Sequence, residues 1–189
     1  MAGFSLRWLC AVLAGTLLAA PATLAAKAAT VTGDAPGASV VWISTDSPPA
    51  PTSLEMRNVD KSFMPDLLVI PVGSVVRFPN DDPFFHSIYS ETDVDSFDFG
   101  FYSTGPGKQV TFSTAGVVNV RCHIHARMHA TIVVVDGPSA ELLDEHFELK
   151  GVPPGAHVLH VWDAQRGERS RALDVPEGVE AVLRVPSER

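Results

Sequence analysis

Cysteine is scarce in this sequence, which contains only Cys10 and Cys122. Cys10 falls in an N-terminal segment that we predict to be removed, so the remaining chain would carry a single thiol. A single thiol excludes an internal disulfide framework. In an oxidising compartment a free thiol is open to oxidation or to intermolecular pairing. We therefore expect Cys122 to be protected by burial or by a metal.

Long apolar runs are also lacking, with the one exception of residues 8–20. This run is short for a membrane span, and Pro21 follows it directly. One positive residue precedes the run and small residues follow it, an order typical of a secretory signal peptide. We predict a signal peptide over residues 1–28, cleaved after Ala26 or Ala28, and export to the periplasm.

Basic residues are few, because 14 Lys and Arg face 22 Asp and Glu and the net charge is −8. Removal of residues 1–28 takes away Arg7 and Lys27 and no acid, so the charge becomes −10. An acidic exported protein is a poor candidate for nucleic-acid binding. Its charge can instead steer it toward a basic partner.

Sustained helical periodicity is absent. Short runs of Val, Ile, Phe and Thr recur instead, separated by Gly, Pro, Asn and Asp, and this pattern predicts an all-β sandwich or barrel. We expect strands near residues 30–33, 39–44, 53–59, 67–71, 74–78, 86–90, 109–113, 117–122, 130–135, 146–150, 156–162, 170–174 and 180–185.

Chemistry-bearing residues concentrate in "RCHIHARMHATIVVV", residues 121–135. Cys122 ends a predicted strand, His125 and Met128 follow at steps of three residues, and a strand then resumes. A tight loop between two strands thus offers a thiolate, an imidazole and a thioether. His86, at the restart of a strand in "FPNDDPFFHSIYS", supplies a fourth group.

This donor set indicates one type 1 copper ion. Two His and one Cys with a weak axial Met form the blue-copper electron-transfer site, and soft sulfur suits Cu(I). Zinc is a weaker alternative, because it gains nothing from a thioether ligand. Each residue alone is more often structural, but their combination at this spacing favours a metal site.

The same residues give the sequence a resemblance to the cupredoxins. The spacing Cys-x-x-His-x-x-Met at 122, 125 and 128 looks like the ligand loop of the amicyanin-like members. "DLLVIPVGSVVRFPNDDPFFHS" resembles the family's segment before its first His ligand, and "TFSTAGVVNVRCHIHARM" resembles its approach to the Cys ligand. A periplasmic, methylamine-utilisation-like subgroup is similar too.

The resemblance implies a Greek-key β-sandwich with copper near one end. His86, Cys122 and His125 would be the strong equatorial ligands and Met128 the weak axial one. The family often has Asn directly after its first His, whereas this sequence has Ser87. The hydrogen bond that braces the ligand loop is therefore expected to differ.

Two extra histidines flank the predicted ligands. His123 follows Cys122 directly, so in extended geometry its side chain should point away from that of Cys122. His129 neighbours Met128 and would compete with it, so the axial ligand stays open between them. We interpret three more distant histidines as structural or surface residues and two tryptophans as core: His146, His157, His160, Trp42 and Trp162.

The segments that flank the predicted cupredoxin domain, residues 53–136, resemble a second family. "ATVTGDAPGASVVWIS", in residues 29–46, and "FELKGVPPGAHVLHVWD", in residues 140–189, resemble strands of carboxypeptidase-regulatory-like or transthyretin-like sandwiches. Each piece is too short to bury a core alone. Either they pair with each other around an inserted cupredoxin domain, or they extend the cupredoxin sheets.

These features predict a periplasmic electron carrier with no membrane span after signal cleavage. Its partner would be a redox protein such as a c-type cytochrome or a periplasmic dehydrogenase. The alternative is copper binding for delivery, storage or sensing. Catalysis is not expected, since copper enzymes need a second His cluster and none is visible outside residues 86–129.

In the resembling family, the His of the ligand loop reaches the surface through an apolar patch where redox partners dock. His125 would take that role here. Residues that would supply the apolar surface are Pro83, Phe84, Phe85 and Ala126. Acids that would steer a basic partner are Asp81, Asp82, Glu91, Asp93 and Asp95.

Overall fold

The computed structural model describes residues 28–177 and the backbone of Val182–Val185. The predicted signal peptide, apart from its last residue, lies outside this described part. Every regular element in the described part is a strand, and no helix there is long and apolar enough to span a membrane. The strands are β1 (Ala29–Asp34), β2 (Val40–Ser44), β3 (Ser53–Glu55), β4 (Arg57–Val59), β5 (Ser62–Met64), β6 (Leu67–Pro71), β7 (Val75–Asn80), β8 (His86–Ser90), β9 (Phe97–Tyr102), β10 (Gly105–Thr111), β11 (Gly116–Cys122), β12 (His129–Val135), β13 (Ser139–Glu141), β14 (His146–Val152), β15 (Gly155–Asp163), β16 (Gly167–Val175) and β17 (Val182–Val185).

Strands β3 to β12 form a sandwich of two five-stranded sheets, called here the large sandwich. One sheet has the order β10-β7-β4-β5 with β3 also beside β7, and the other has the order β6-β12-β11-β8-β9. Most neighbours are antiparallel, while β6 runs parallel to β12, and β3 and β4 run parallel to β7. The all-β prediction is thus confirmed.

Strand β11 places the thiol in the core of the large sandwich. Its sequence GVVNVRC alternates so that Val118, Val120 and Cys122 face inward and Asn119 and Arg121 face solvent. This two-residue period follows from the pleat of a strand. Cys122 is the last residue of that inward row, so it closes the core at the end of the strand.

The flanking segments pair with each other in a second, smaller sandwich. One sheet has the order β14-β1-β17 and the other has the order β13-β2-β15-β16. Strand β1 lies antiparallel to β14, and β2 lies antiparallel to β15. Its core contains residues from both ends of the described chain, among them Val31, Ile43, Phe147, Leu149 and Leu159. Of the two predicted arrangements, the structure has the mutual pairing of the flanks.

An apolar cluster joins the two sandwiches. Val133 and Val135 on the outer face of β12 pack with Val40, Trp42 and Trp162 of the small sandwich. Because the inner face of β12 lines the large core, both faces of this strand are buried, which explains its nearly uninterrupted apolar sequence ATIVVV. The prediction that both tryptophans lie in a core is confirmed, since Trp42 and Trp162 are 1% and 8% exposed.

Three strands were not predicted. β5 and β13 have only three residues each, too few to show an alternating pattern. β9 reads FDFGFY and contains Asp and Gly, which are depleted in strands. The predicted strand over residues 53–59 is two strands, β3 and β4, with Met56 between them.

Candidate metal centre

Three of the four predicted ligands meet at one end of the large sandwich. Cys122 Sγ lies 3.7 Å from His86 Nδ1 and 3.6 Å from His125 Nδ1, and the two Nδ1 atoms are 3.2 Å apart. A point about 2 Å from each atom lies at the centre of this triangle, close to the ~2.0–2.3 Å bonds that imidazole and thiolate make to a metal such as zinc. The three side chains can therefore hold one metal ion.

The strands fix two of these side chains, and a turn fixes the third. His86 is the first residue of β8 and Cys122 the last of β11, and they are 0% and 5% exposed. The amide of Met128 donates to the carbonyl of His125 at 2.8 Å, and the amide of Cys122 donates to the carbonyl of Met128 at 3.3 Å. These two bonds close the loop that carries His125 between β11 and β12.

Met128 and His129 lie on opposite sides of the chain. Met128 is 2% exposed and packs in the same core cluster as Cys122. His129 is exposed, and its Nδ1 lies 3.0 Å from the carbonyl oxygen of Arg127. Met128 is therefore the candidate on the core side of the loop. Its axial role stays a prediction.

The buried carboxylate of Asp82 contacts His86 at Nε2, the ring nitrogen that does not face the metal triangle. Its Oδ2 lies 2.9 Å from His86 Nε2 and accepts the backbone amide of Lys61 at 3.0 Å, while its Oδ1 accepts the backbone amide of Asp60 at 2.7 Å. Burial alone would raise the pKa of Asp82. The bonds from Lys61, His86 and Asp60 outweigh burial, so its pKa lies below the ordinary value.

Asp82 thus differs from the sequence interpretation. It was expected among acids that steer a partner, but it is 4% exposed and bonded to His86, so for this residue the expectation is wrong. Of the other acids in that set, Asp81 takes two bonds of 2.7 Å from Arg57, and Asp95 accepts the amides of Ser113 and Thr114. Sequence reasoning missed the role of Asp82, although a carboxylate partner for a ligand His is a common arrangement.

His125 is the ligand candidate that reaches the surface. Burial is the main cause that lowers the pKa of His125; the neighbouring His86 and Lys61 lower it further, and Asp82 acts in the opposite direction. A shallow hollow of about 660 Å³ surrounds its ring. The hollow is lined by Lys61, Phe84, Phe85, Phe101, Ile124 and His125.

This hollow is largely apolar. Phe85, Phe101 and Ile124 are 57%, 67% and 44% exposed. Phe84 and Phe85 were predicted here, while Phe101 and Ile124 were missed because their exposure depends on β9 and the ligand loop. Pro83 and Ala126, also predicted, are exposed but do not line it.

His123 points away from the metal triangle, as the alternation predicts. Its ring stacks on Tyr89 at 3.8 Å, and its Nε2 lies 3.2 Å from Asp98 Oδ2. Its amide donates to the carbonyl of Ser87 at 2.9 Å. The backbone of Ser87, the residue that departs from the family pattern, therefore braces the ligand loop.

The remaining described histidines make contacts outside the triangle. His146 Nδ1 lies 3.1 Å from Asp34 Oδ1. The ring of His160 stacks on Trp42 at 4.6 Å, and its Nδ1 lies 2.8 Å from Glu168 Oε1. His157 Nε2 lies 2.8 Å from the carbonyl oxygen of Pro153. These contacts join strands of the small sandwich or its turns, which agrees with a structural interpretation.

A scan against protein-family models finds no match, and a search of curated proteins finds none either. Among solved structures, the chain is similar to a copper-containing nitrite reductase from Thermus scotoductus SA-01, at 31% identity, a TM-score of 0.40 and 46% coverage of this chain. The match spans 22% of the nitrite reductase chain. Amicyanin, as the reduced state of a proline-to-phenylalanine mutant, matches at 20% identity and a TM-score of 0.41 over 50% of this chain and 97% of its own.

The Cu(I) form of a methionine-to-alanine amicyanin mutant matches at 18% identity and a TM-score of 0.41, again over 50% of this chain and 97% of its own. At these scores, the assignment of the site rests on its own geometry and donor chemistry. The all-β sandwich and the grouping of His86, Cys122 and His125 are what the cupredoxin resemblance predicts.

Proposed function

We propose that this protein is a periplasmic type 1 copper protein that shuttles single electrons between redox partners. The observation that carries the proposal is the triangle of His86 Nδ1, Cys122 Sγ and His125 Nδ1, with Met128 buried in the same core. Copper bound there would accept and release one electron. The protein's contribution would be a rigid, mostly buried ligand set that needs little movement between the two oxidation states.

Rigidity of the ligands has a structural basis. His86 and Cys122 are end residues of neighbouring antiparallel strands, β8 and β11. Two backbone hydrogen bonds hold the loop that carries His125. Electron transfer favours such a site, whereas a protein that delivers copper benefits from exposed and exchangeable sulfur.

The hollow around His125 would be the docking face for the redox partner. It is apolar, shallow and centred on the one partly exposed ligand candidate, so it offers the shortest route between a partner and the metal. We propose a c-type cytochrome or a periplasmic dehydrogenase as the partner. The chain itself would not be an enzyme, since we propose a single copper ion for it.

The first experiment is a titration of the purified mature protein with Cu(II), followed by visible absorption and EPR. We expect a strong blue thiolate-to-copper band and narrow copper hyperfine splitting, both absent from Cys122→Ser. A colourless or weak, broad complex would contradict the proposal. Rapid loss of copper to a chelator would favour the alternative of copper delivery, storage or sensing.

The docking face can be tested by electron exchange with a c-type cytochrome in a stopped-flow instrument. Phe101→Ser and Ile124→Ser should slow the exchange without changing the copper spectrum. Leu143→Ser is the control, because Leu143 is another exposed large hydrophobic residue and does not line the hollow. Equal rates in all three variants would exclude this hollow as the docking face.

A further inference from the structure

Hydrogen bonds within the protein hold the carboxylate of Asp82 in place. Its Oδ1 accepts the amide of Asp60 at 2.7 Å, and its Oδ2 accepts the amide of Lys61 at 3.0 Å. The backbone of Asp82 is fixed as well, because its amide donates to Asn80 Oδ1 at 3.0 Å and its carbonyl accepts the hydroxyl of Thr104. A buried carboxylate is retained only with such partners.

The two amides come from a tight turn between β4 and β5. Asp60 and Lys61 have φ angles of 52° and 58°, the left-handed region that a two-residue hairpin turn requires. Glycine or asparagine is favoured there, and lysine is not. The strained backbone aims both N–H groups at Asp82, so this turn serves the carboxylate as well as the hairpin.

Hydrogen-bond accounting then fixes the proton on His86. An ionised carboxylate only accepts, and its contact with His86 Nε2 at 2.9 Å requires Nε2 to carry the proton. In the neutral ring, the other nitrogen, Nδ1, then keeps its lone pair free. That lone pair faces the triangle, 3.7 Å from Cys122 Sγ and 3.2 Å from His125 Nδ1.

We propose that Asp82 is a positioning residue of the metal centre, which sets the proton of His86 on Nε2 and favours the oxidised metal. The inference rests on the proposed copper function. A negative charge separated from the metal by one imidazole ring stabilises Cu(II) more than Cu(I), and a carboxylate partner raises the basicity of its histidine. Asp82 therefore lowers the reduction potential.

The test compares Asp82→Asn with Asp81→Asn in the full mature chain. Both variants remove one negative charge from adjacent residues, but Asp81 bonds to Arg57 at the surface and does not contact His86. We expect Asp82→Asn to lose 10- to 100-fold in Cu(II) affinity. Its reduction potential should rise by at least 59 mV, which corresponds to a tenfold change in the ratio of Cu(II) to Cu(I) affinity. Asp81→Asn should leave both values near those of the unsubstituted protein.

Nitrogen NMR of the unsubstituted, metal-free chain supplies a second measurement that needs neither copper nor a stable variant. We expect the neutral His86 ring to carry its proton on Nε2. A proton on Nδ1, or equal potentials in the two Asn variants, would overturn the inference. Failure of the unsubstituted protein to form a blue complex would instead overturn the proposed function, so the two failures are distinguishable.

Discussion

Cys122, the single thiol of the described residues, is buried because it is the last inward-facing residue of β11. Cys122 closes the inward row of β11 and is 5% exposed, with two imidazoles within 4 Å of its sulfur. Burial thus protects this thiol, and the two neighbouring imidazoles make it a candidate metal ligand as well.

Alanine substitutions of Met128 and His129 test directly which of the two is the axial ligand. Met128→Ala should change the EPR spectrum and the reduction potential of the copper complex, and cost about 2–5 kcal/mol of stability because a buried side chain is truncated. His129→Ala should change none of these, since its ring is exposed. If His129→Ala changed the EPR spectrum and Met128→Ala did not, His129 and not Met128 would be the axial ligand.

Tyr102 gives a prediction for alkaline pH. Burial raises its pKa to about 12, opposed by the hydrogen bond from Asn58 Nδ2 at 2.6 Å, while the nearby Cys122 adds to the rise. Because the folded pKa exceeds the ordinary 10.0, the neutral phenol's contribution is complete below pH 10 and disappears as the pH rises toward 12. Unfolding measured from pH 8 to 12 should show a smaller alkaline loss of stability in Tyr102→Phe than in the unsubstituted protein.

If Tyr102→Phe lost as much stability at alkaline pH as the unsubstituted protein, titratable groups other than Tyr102 would be responsible for that loss. The comparison at pH 8 is the internal control, because there both side chains are neutral. At that pH we expect Tyr102→Phe to be the less stable protein by about 1 kcal/mol, since the buried amide of Asn58 loses one partner.

The types of side chain at the candidate ligand positions made the metal site predictable from the sequence. A thiolate, two imidazoles and a thioether at restricted spacings suit few functions, so His86, Cys122 and His125 could be grouped without a structure. Asp82 could not, because its role depends on a hairpin turn more than 20 residues earlier in the chain. Nothing in the local sequence distinguishes it from the exposed Asp81.

Among the elements, β10 lies unusually close to its neighbour β7. Gly107 has a φ of 69°, and a Cβ placed there would lie 1.7 Å from the carbonyl oxygen of Phe78. Gly107→Ala should therefore destabilise the protein by more than 2 kcal/mol, roughly the range of other backbone-strain substitutions, measured by urea unfolding. The register of β10 with β7 is irregular in the same segment, between Gly105 and Lys108.

Gly100→Ala is the matched control for that substitution. Gly100 has a similar φ of 60°, but a Cβ placed there would have no neighbour within 4 Å. Its alanine variant should bear only the conformational cost of about 1 kcal/mol. Equal losses in the two variants would show that contact between β10 and β7 adds nothing.

Strand prediction succeeded for the two strands that carry His86 and Cys122. The predicted bounds of β8 and β11 agree with the structure to within one residue. β9 failed because its aromatic residues are interrupted by Asp98 and Gly100, which are tolerated in an edge strand. An edge strand with an atypical composition, such as β9, is therefore hard to identify from local pattern alone.

At the scale of the whole molecule, the flanking segments join across more than 100 residues. Thr32 pairs with Glu148, and Trp42 pairs with His160. Local patterns identified both segments as strands, but two arrangements satisfied those patterns equally. Only the tertiary structure distinguishes them, because the choice depends on which apolar faces meet.

The apolar cluster between the sandwiches predicts that both unfold together. In the mature chain the tryptophans, Trp42 and Trp162, lie at the small sandwich's side of this cluster, whereas the blue copper band would report on the large sandwich. Denaturation followed by tryptophan fluorescence and by copper absorbance should give coincident transitions. Two resolved transitions in the unsubstituted protein would mean that the cluster does not couple them.

Alanine variants of Val133 and Val134 distinguish the coupling between the two sandwiches from the stability of the large core. Val133 faces the cluster and Val134 faces the large core, and both are fully buried, so each alanine variant should lose about 2 kcal/mol. Val134→Ala should lower both midpoints and keep them coincident. Val133→Ala should pull them apart, because it weakens the contact that transmits stability between the sandwiches. Coincident midpoints in both variants would place the coupling elsewhere along the junction.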